Sequence, residues 1–168
     1  MEIDLDPVDE AGVPALMALA QLYQYDFSEI EGGAIGLDGR YAYLDDLVDR
    51  LAEPGAGAWL VRLVDPHVRV PALAGFAVVV AVEDGSADRA IDEFFVLRKY
   101  RRLGVGRAAA TAILAGAPGT WLVQGTRHNH GARAFWRDVI GQVADGPVEE
   151  AEDPTVTYPA WEYRFRVS

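Results

Sequence analysis

Apolar and polar positions alternate along this chain with periods that change from segment to segment, and the changes predict its elements. Residues 2–6 alternate acidic and apolar side chains, which predicts a short edge strand closed by Pro7. After Pro14, the residues Leu16, Leu19, Leu22 and Tyr23 recur at helical spacing, and the pattern fades at Asp26-Phe27-Ser28. A glycine-rich loop follows over 31–39. A second helix is predicted over 41–52, with Leu44, Leu47, Val48 and Leu51 on one side and Glu53-Pro54-Gly55 as its stop. Two apolar runs, 58–64 and 73–82, flank the turn signal Asp65-Pro66-His67 and are expected to pair as an antiparallel hairpin. Beyond a turn at Glu83-Asp84-Gly85-Ser86 come a buried strand over 91–97, a helix over 104–115, a strand over 120–124, a helix over 129–139 and a last strand over 161–167. Hairpin order in the first half argues for antiparallel pairing, and strand–helix order in the second for parallel pairing. The expected class is α/β: one domain over 1–168, a mixed sheet and about four helices.

Composition narrows the function. The chain has 168 residues, 51% hydrophobic and 24% charged, which suits one globular domain with a full core. It has no cysteine, which removes disulfides, thiolate metal sites and a cysteine nucleophile. The apolar run over 73–82 is far shorter than the ~20 residues a membrane helix needs. The acidic N-terminus differs from a secretory signal, so a cytoplasmic location is expected. Fifteen cationic residues against 26 acidic ones give a net charge of −11, a field that repels nucleic acid and anionic membranes and favours cationic substrates. Against that field, Arg98, Lys99, Arg101, Arg102 and Arg107 crowd into one short stretch, which points to a held anion.

The stretch itself says how an anion is held. A strand ending near Leu97 runs into a basic turn with Gly104 and Gly106, and a helix of small residues starts there. The first N–H groups of a helix lack internal partners and carry the positive end of its dipole, and glycines let the main chain approach a phosphate. Gly104-x-Gly106-x-x-Ala109 also fits a dinucleotide fingerprint, but the first glycine stands too far from the strand and no acidic residue closes the next one. Gly106-Arg107-Ala108 lacks the Gly-Lys-Ser/Thr of a P-loop.

Arg101-Arg102-Leu103-Gly104-Val105-Gly106 resembles the Gln/Arg-x-x-Gly-x-Gly/Ala signature of the GNAT acyltransferase superfamily. Asn129-His130-Gly131-Ala132-Arg133-Ala134-Phe135-Trp136, with Gly141 beyond, resembles that superfamily's later Asn-x-x-Ala-x-x-Phe-Tyr...Gly pattern. The resemblance covers roughly 91–141 and implies acetyl-CoA as acyl donor, with parallel strands that splay near the sheet centre to admit it. It implies that Arg101, Arg102 and the main chain of Leu103, Gly104, Val105, Gly106 and Arg107 hold the pyrophosphate. The main chain of Phe95, Val96 and Leu97 would pair with the pantetheine amides, the Val96 N–H polarising the thioester carbonyl. Asn129 would contact the pantetheine arm, and Trp136 would lie beside the cofactor. The family usually has a tyrosine where Trp136 stands, so the general acid is open between Tyr100, Tyr158 and water.

The implied chemistry is direct attack of an amine on a thioester, which needs positioning and a proton route but no nucleophilic side chain. That agrees with three serines outside any nucleophile motif. An alkylammonium has a pKa of about 10, so a base must take its proton. Asp92 and Glu93 are the candidates. Asp-Glu-Phe-Phe-Val resembles the strand of polyamine acetyltransferases, in which Asp92 matches the base and Glu93 has the longer reach. On a regular strand the two side chains point to opposite faces, so at most one would face the acceptor. The resemblance implies an acceptor wall between the first two helices, where Tyr25 and Asp26 could hold an amine by cation–π contact and ion pairing. His128 and His130 lack a third ligand, so no metal is expected. The partners expected are a small-molecule or basic amine acceptor and no nucleic acid or membrane, with a homodimer left open. The rival reading is a GNAT-like module that binds acetyl-CoA without turnover.

Overall fold

The computed structural model describes residues 2–42, 45–67 and 69–168. Seven strands form one sheet: β1 (Ile3–Pro7), β2 (Gly57–Val64), β3 (Pro71–Ala81), β4 (Arg89–Val96), β5 (Gly119–Gly125), β6 (Glu149–Glu152) and β7 (Trp161–Val167). Their order is β1-β2-β3-β4-β5-β7-β6. Four helices, α1 (Val13–Glu31), α2 (Leu47–Leu51), α3 (Val105–Ala115) and α4 (His130–Val143), cover the two faces. On one face Leu16, Leu19 and Ala20 of α1 and Leu47 of α2 pack on Leu60, Phe76, Val78 and Phe95. On the other, Ile113 and Leu114 of α3 and Val139 and Ile140 of α4 pack on Ile91, Trp121, Val123, Tyr163 and Phe165. Burial of these apolar side chains, worth about 25 cal/mol per Å², is the main force holding the layers.

The sheet is mixed as the residue order implies, but its parallel part is small. Among the described residues β4 and β5 are the one parallel pair, and their ladder stops after Ile91↔Val123. β7 returns antiparallel beside β5 rather than extending a parallel sheet. β4 continues five residues beyond the last rung, so the two strands splay near the sheet centre.

Several boundaries differ from the sequence pattern, each for a physical reason. α1 runs through Asp26-Phe27-Ser28 to a left-handed cap at Gly32, because Asp26 meets two arginines and the Ser28 hydroxyl folds back on the Tyr25 carbonyl. Leu22 and Val48, expected inside, are exposed. The second helix is only Leu47–Leu51: the Gln21 side chain takes both main-chain groups of Tyr41 at 2.8 Å, which holds that segment out of helix. Leu44, also placed on that helix, lies outside the described residues. α4 is longer than predicted, reaching Val143. β6 has no apolar alternation and was not predicted; its exposed glutamates are held by pairing to β7 and by Arg133, Arg137 and Arg164.

Candidate active site

The splay creates a gap whose walls can be named. Where Val78 faces Glu93, Val79 already faces Ile91, so Asp92 is an extra residue bulged out of β4. Beyond the bulge, Leu97 donates its N–H to the Ala74 carbonyl at 2.7 Å. Main-chain groups alternate sides along a strand, so Phe95 and Leu97 spend theirs on β3, whereas Phe94 and Val96 turn theirs toward the gap. Of the three residues expected as a ligand rail, Phe95 and Leu97 thus bond to β3, and only Val96, together with Phe94, turns toward the gap. Gly75 makes the β3–β4 contact tight enough: a Cβ there would lie 1.9 Å from the Phe95 carbonyl oxygen. Across the gap, Phe135 of α4 stacks on Phe94 at 5.7 Å. Gly106 of α3 faces Val96 and Phe135, leaving room for only a methyl group.

At the mouth of the gap stands the basic turn. Gly104 precedes α3 at φ +84°, and Arg102, a non-glycine residue, is also left-handed at φ +61°. The first helical bond runs from the Ala108 N–H to the Gly104 carbonyl. No main-chain hydrogen bond from the N–H groups of Leu103, Gly104, Val105, Gly106 or Arg107 occurs among the described residues, and those of Val105, Gly106 and Arg107 lie in the first turn, at the positive end of α3. A Cβ on Gly104 would point into open space.

The cations beside this turn do not act as one cluster. Arg98 binds Asp26 at 2.5 Å and Glu29 at 3.4 Å, and Arg101 binds Asp26 and the Val96 carbonyl. Arg107 pairs with Asp138 at 2.6 Å, and Lys99 pairs with Asp65. Arg102 alone of the five has no carboxylate partner among the described residues. Asp26, expected in the acceptor wall, is thus occupied by two arginines, and Tyr25 is 65% exposed on the outside of α1. Neither lines the cleft described next.

That cleft, of about 380 Å³, opens beside the bulge and is lined by Val80, Glu83, Asp84, Asp92, Gln124 and Tyr158. The bulge corrects the expectation that Asp92 and Glu93 face opposite ways. Both carboxylates meet one guanidinium, that of Arg50 on α2: Asp92 directly, Glu93 at 3.8 Å. Burial raises the Asp92 carboxyl, against the attraction of Arg50. Burial also pushes Glu93 up, to about 7, helped by the negative charge of Asp92 and opposed by a hydrogen bond from Tyr23 and by Arg50. Nothing in the sequence near Arg50 marked it: it stands among acidic residues and meets Asp92 only through the fold.

The remaining expected residues sit as follows. Asn129 caps α4, its Oδ1 accepting the Ala132 N–H at 3.1 Å. Trp136 is buried against Phe94 and Phe135, each at 5.1 Å between rings, and is a packing aromatic behind the gap. Tyr100 is buried with its hydroxyl on Asp65 at 2.7 Å, which removes it as a proton donor to the gap.

Residues 16–141 match the Acetyltransferase (GNAT) family. No curated protein matches the sequence. Among solved structures, an acetyltransferase from Thermus thermophilus superposes with a TM-score of 0.69 at 19% identity over 99% of this chain and 98% of its own. A spermidine N-acetyltransferase variant from Vibrio cholerae gives 0.59 at 9% identity over 98% and 92%. The ribosomal-protein-S18-alanine N-acetyltransferase from Escherichia coli gives 0.56 at 14% over 99% and 95%. At these identities the superpositions establish the fold.

Proposed function

We propose, on the premise that this chain belongs to the acetyltransferase (GNAT) family, that it transfers an acetyl group from acetyl-CoA directly to a primary amine of a small cationic molecule or basic side chain. One observation carries this reading. Beyond the β4–β5 ladder, the strand carrying Phe94 and the Val96 N–H leads from the start of α3 to the Asp92–Glu93 bulge, so a donor site and a base share one strand, with the Val96 carbonyl held by Arg101. The N–H groups of residues 103–107 and the Arg102 guanidinium suit a diphosphate, which takes hydrogen bonds from main chain and bidentate arginine alike. When bound, acetyl-CoA supplies the thioester whose acyl carbon the amine attacks. The Val96 N–H is the donor aimed where negative charge develops on the carbonyl.

Asp92 lines the cleft and takes the amine's proton, with Glu93 behind it and Arg50 holding both. Glu83, Asp84 and Asp92 give the cleft an acidic wall with Tyr158 at its edge, which selects a cation. Trp136 carries no acidic hydroxyl, and the departing thiol, with a pKa of ~8.5 like that of free cysteine, leaves as a thiolate without one. Trp136 also favours the second reading, a donor-binding module without turnover. Calorimetric titration tests the donor site: acetyl-CoA gives saturable heat and raises the melting temperature, and the absence of both overturns the assignment.

The buried Glu93 makes a pH prediction. Its folded pKa, about 7, exceeds the ordinary 4.5, so the folded state binds this proton more tightly than the unfolded chain. The stability it contributes is fully present below pH 4.5 and is lost as pH rises through 7. The difference corresponds to roughly 3 kcal/mol. Denaturant melts of wild type and Glu93→Gln should therefore converge at low pH and separate by about that amount by pH 7.5, the variant being favoured as pH rises. The same ionisation gives kcat/KM a rising limb near pH 7 that the variant displaces. Parallel stability curves would show that Glu93 does not titrate in this range.

A further inference from the structure

Asp65 follows β2 at the start of the turn to β3, far along the chain from the donor turn, and is 1% exposed. A carboxylate buried to that degree must be paired. It is: the Lys99 ammonium and the Tyr100 hydroxyl donate to Oδ2, the latter at 2.7 Å, and the His67 N–H donates to Oδ1 at 2.8 Å. Those donors hold its pKa well below the usual carboxylate range. Asp65 is itself fixed, its N–H donating to the Val70 carbonyl at 2.9 Å and its carbonyl accepting the Arg69 N–H at 2.7 Å. One buried side chain thus ties the β2–β3 turn to the 3₁₀ turn Arg98–Tyr100 that leaves β4.

The free N–H groups begin three residues later, after Arg102 at φ +61° and with Gly104 at φ +84°. A non-glycine residue stays left-handed only where its surroundings over-determine it. Here the restraints are the Arg101 bond to the Val96 carbonyl, the Tyr100 ring packed with Val96, Val105 and Ala109, and the two donors on Asp65. Lys99 is neutralised by the same carboxylate and so serves the turn's shape instead of the anion's charge.

We propose that Asp65 is a positioning residue for the donor site: it locks Lys99 and Tyr100 so that the N–H groups of residues 103–107 converge on the diphosphate. The proposal rests on the donor reading above, and its test separates the two. Wild-type protein is first titrated with coenzyme A; no binding there overturns the donor reading and this proposal with it. With binding established, Asp65→Asn should weaken coenzyme A about tenfold and raise KM for acetyl-CoA by the same factor. At saturating donor, kcat should stay within twofold and KM for the amine should be unchanged. Tyr100→Phe, which keeps the ring, should weaken coenzyme A about threefold, and the double variant should bind no worse than Asp65→Asn alone, since both act through one contact. A lower melting temperature with coenzyme A affinity within twofold of wild type would overturn the proposal and leave Asp65 a structural tie only. If Asp65→Asn fails to fold, Tyr100→Phe decides, and wild-type affinity in it overturns the proposal.

Discussion

Asp92→Asn lowers kcat/KM for the amine by about 10²-fold or more while donor affinity stays at the wild-type value. The size follows from removing a positioned base, worth 10²–10⁴ in rate. The location follows from the bulge, which turns Asp92 out of the β3–β4 ladder and into the cleft wall. Asparagine keeps the shape and the half-buried setting, so the fold is retained; what is lost is the site that accepts the amine's proton and half of the pair that Arg50 bridges. Steady-state rates across pH, with thermal melts as the control, read this out. A variant within threefold of wild type at every pH would remove Asp92 as the base.

Gly104→Asp should lower coenzyme A affinity by about 10²-fold and leave the melting temperature unchanged or raised. The two effects have opposite signs because they have different causes. Aspartate is among the few non-glycine residues that enter the left-handed region, and a negative charge at a helix N-terminus interacts favourably with its dipole. The same charge faces the diphosphate across the N–H groups. Two like charges about 4 Å apart at an effective dielectric of about 20 repel by roughly 4 kcal/mol, ample for the loss. Gly104→Val is a poorer probe, because a β-branched residue at φ +84° strains the turn itself. Undiminished coenzyme A binding by the aspartate variant would move the diphosphate away from α3.

Much of this was legible because it is local. The alternation in β1 and β7, the hairpin of β2 and β3, and the glycine turn before α3 each depend on residues close in sequence, and local rules found them. What escaped was set by contacts between distant segments. The Gln21 side chain shortened α2 by binding Tyr41, and β6 exists through main-chain pairing and arginine contacts that its four residues do not announce. In the site, a single bulged residue put Asp92 and Glu93 on one guanidinium, a geometry that strict alternation forbids. The basic stretch looked like one anion cluster because charge was counted along the chain; in space, Asp26, Glu29, Asp65 and Asp138 claim four of its five cations. The glycine turn before α3 stands where the sequence put it, whereas Tyr25 and Asp26 lie away from the cleft beside Asp92, which we propose as the acceptor wall instead.

The central claim is a direct transfer between a donor held along the splayed strand and an amine in the acidic cleft. It is tested most directly by mixing the protein with acetyl-CoA labelled in its acetyl group and a panel of primary amines, then following thiol release and the fate of the label. The account predicts release only when a suitable amine is present, with the label recovered on that amine's nitrogen and none on the protein. Tight donor binding with no label reaching any amine, or label retained on the chain, would contradict it.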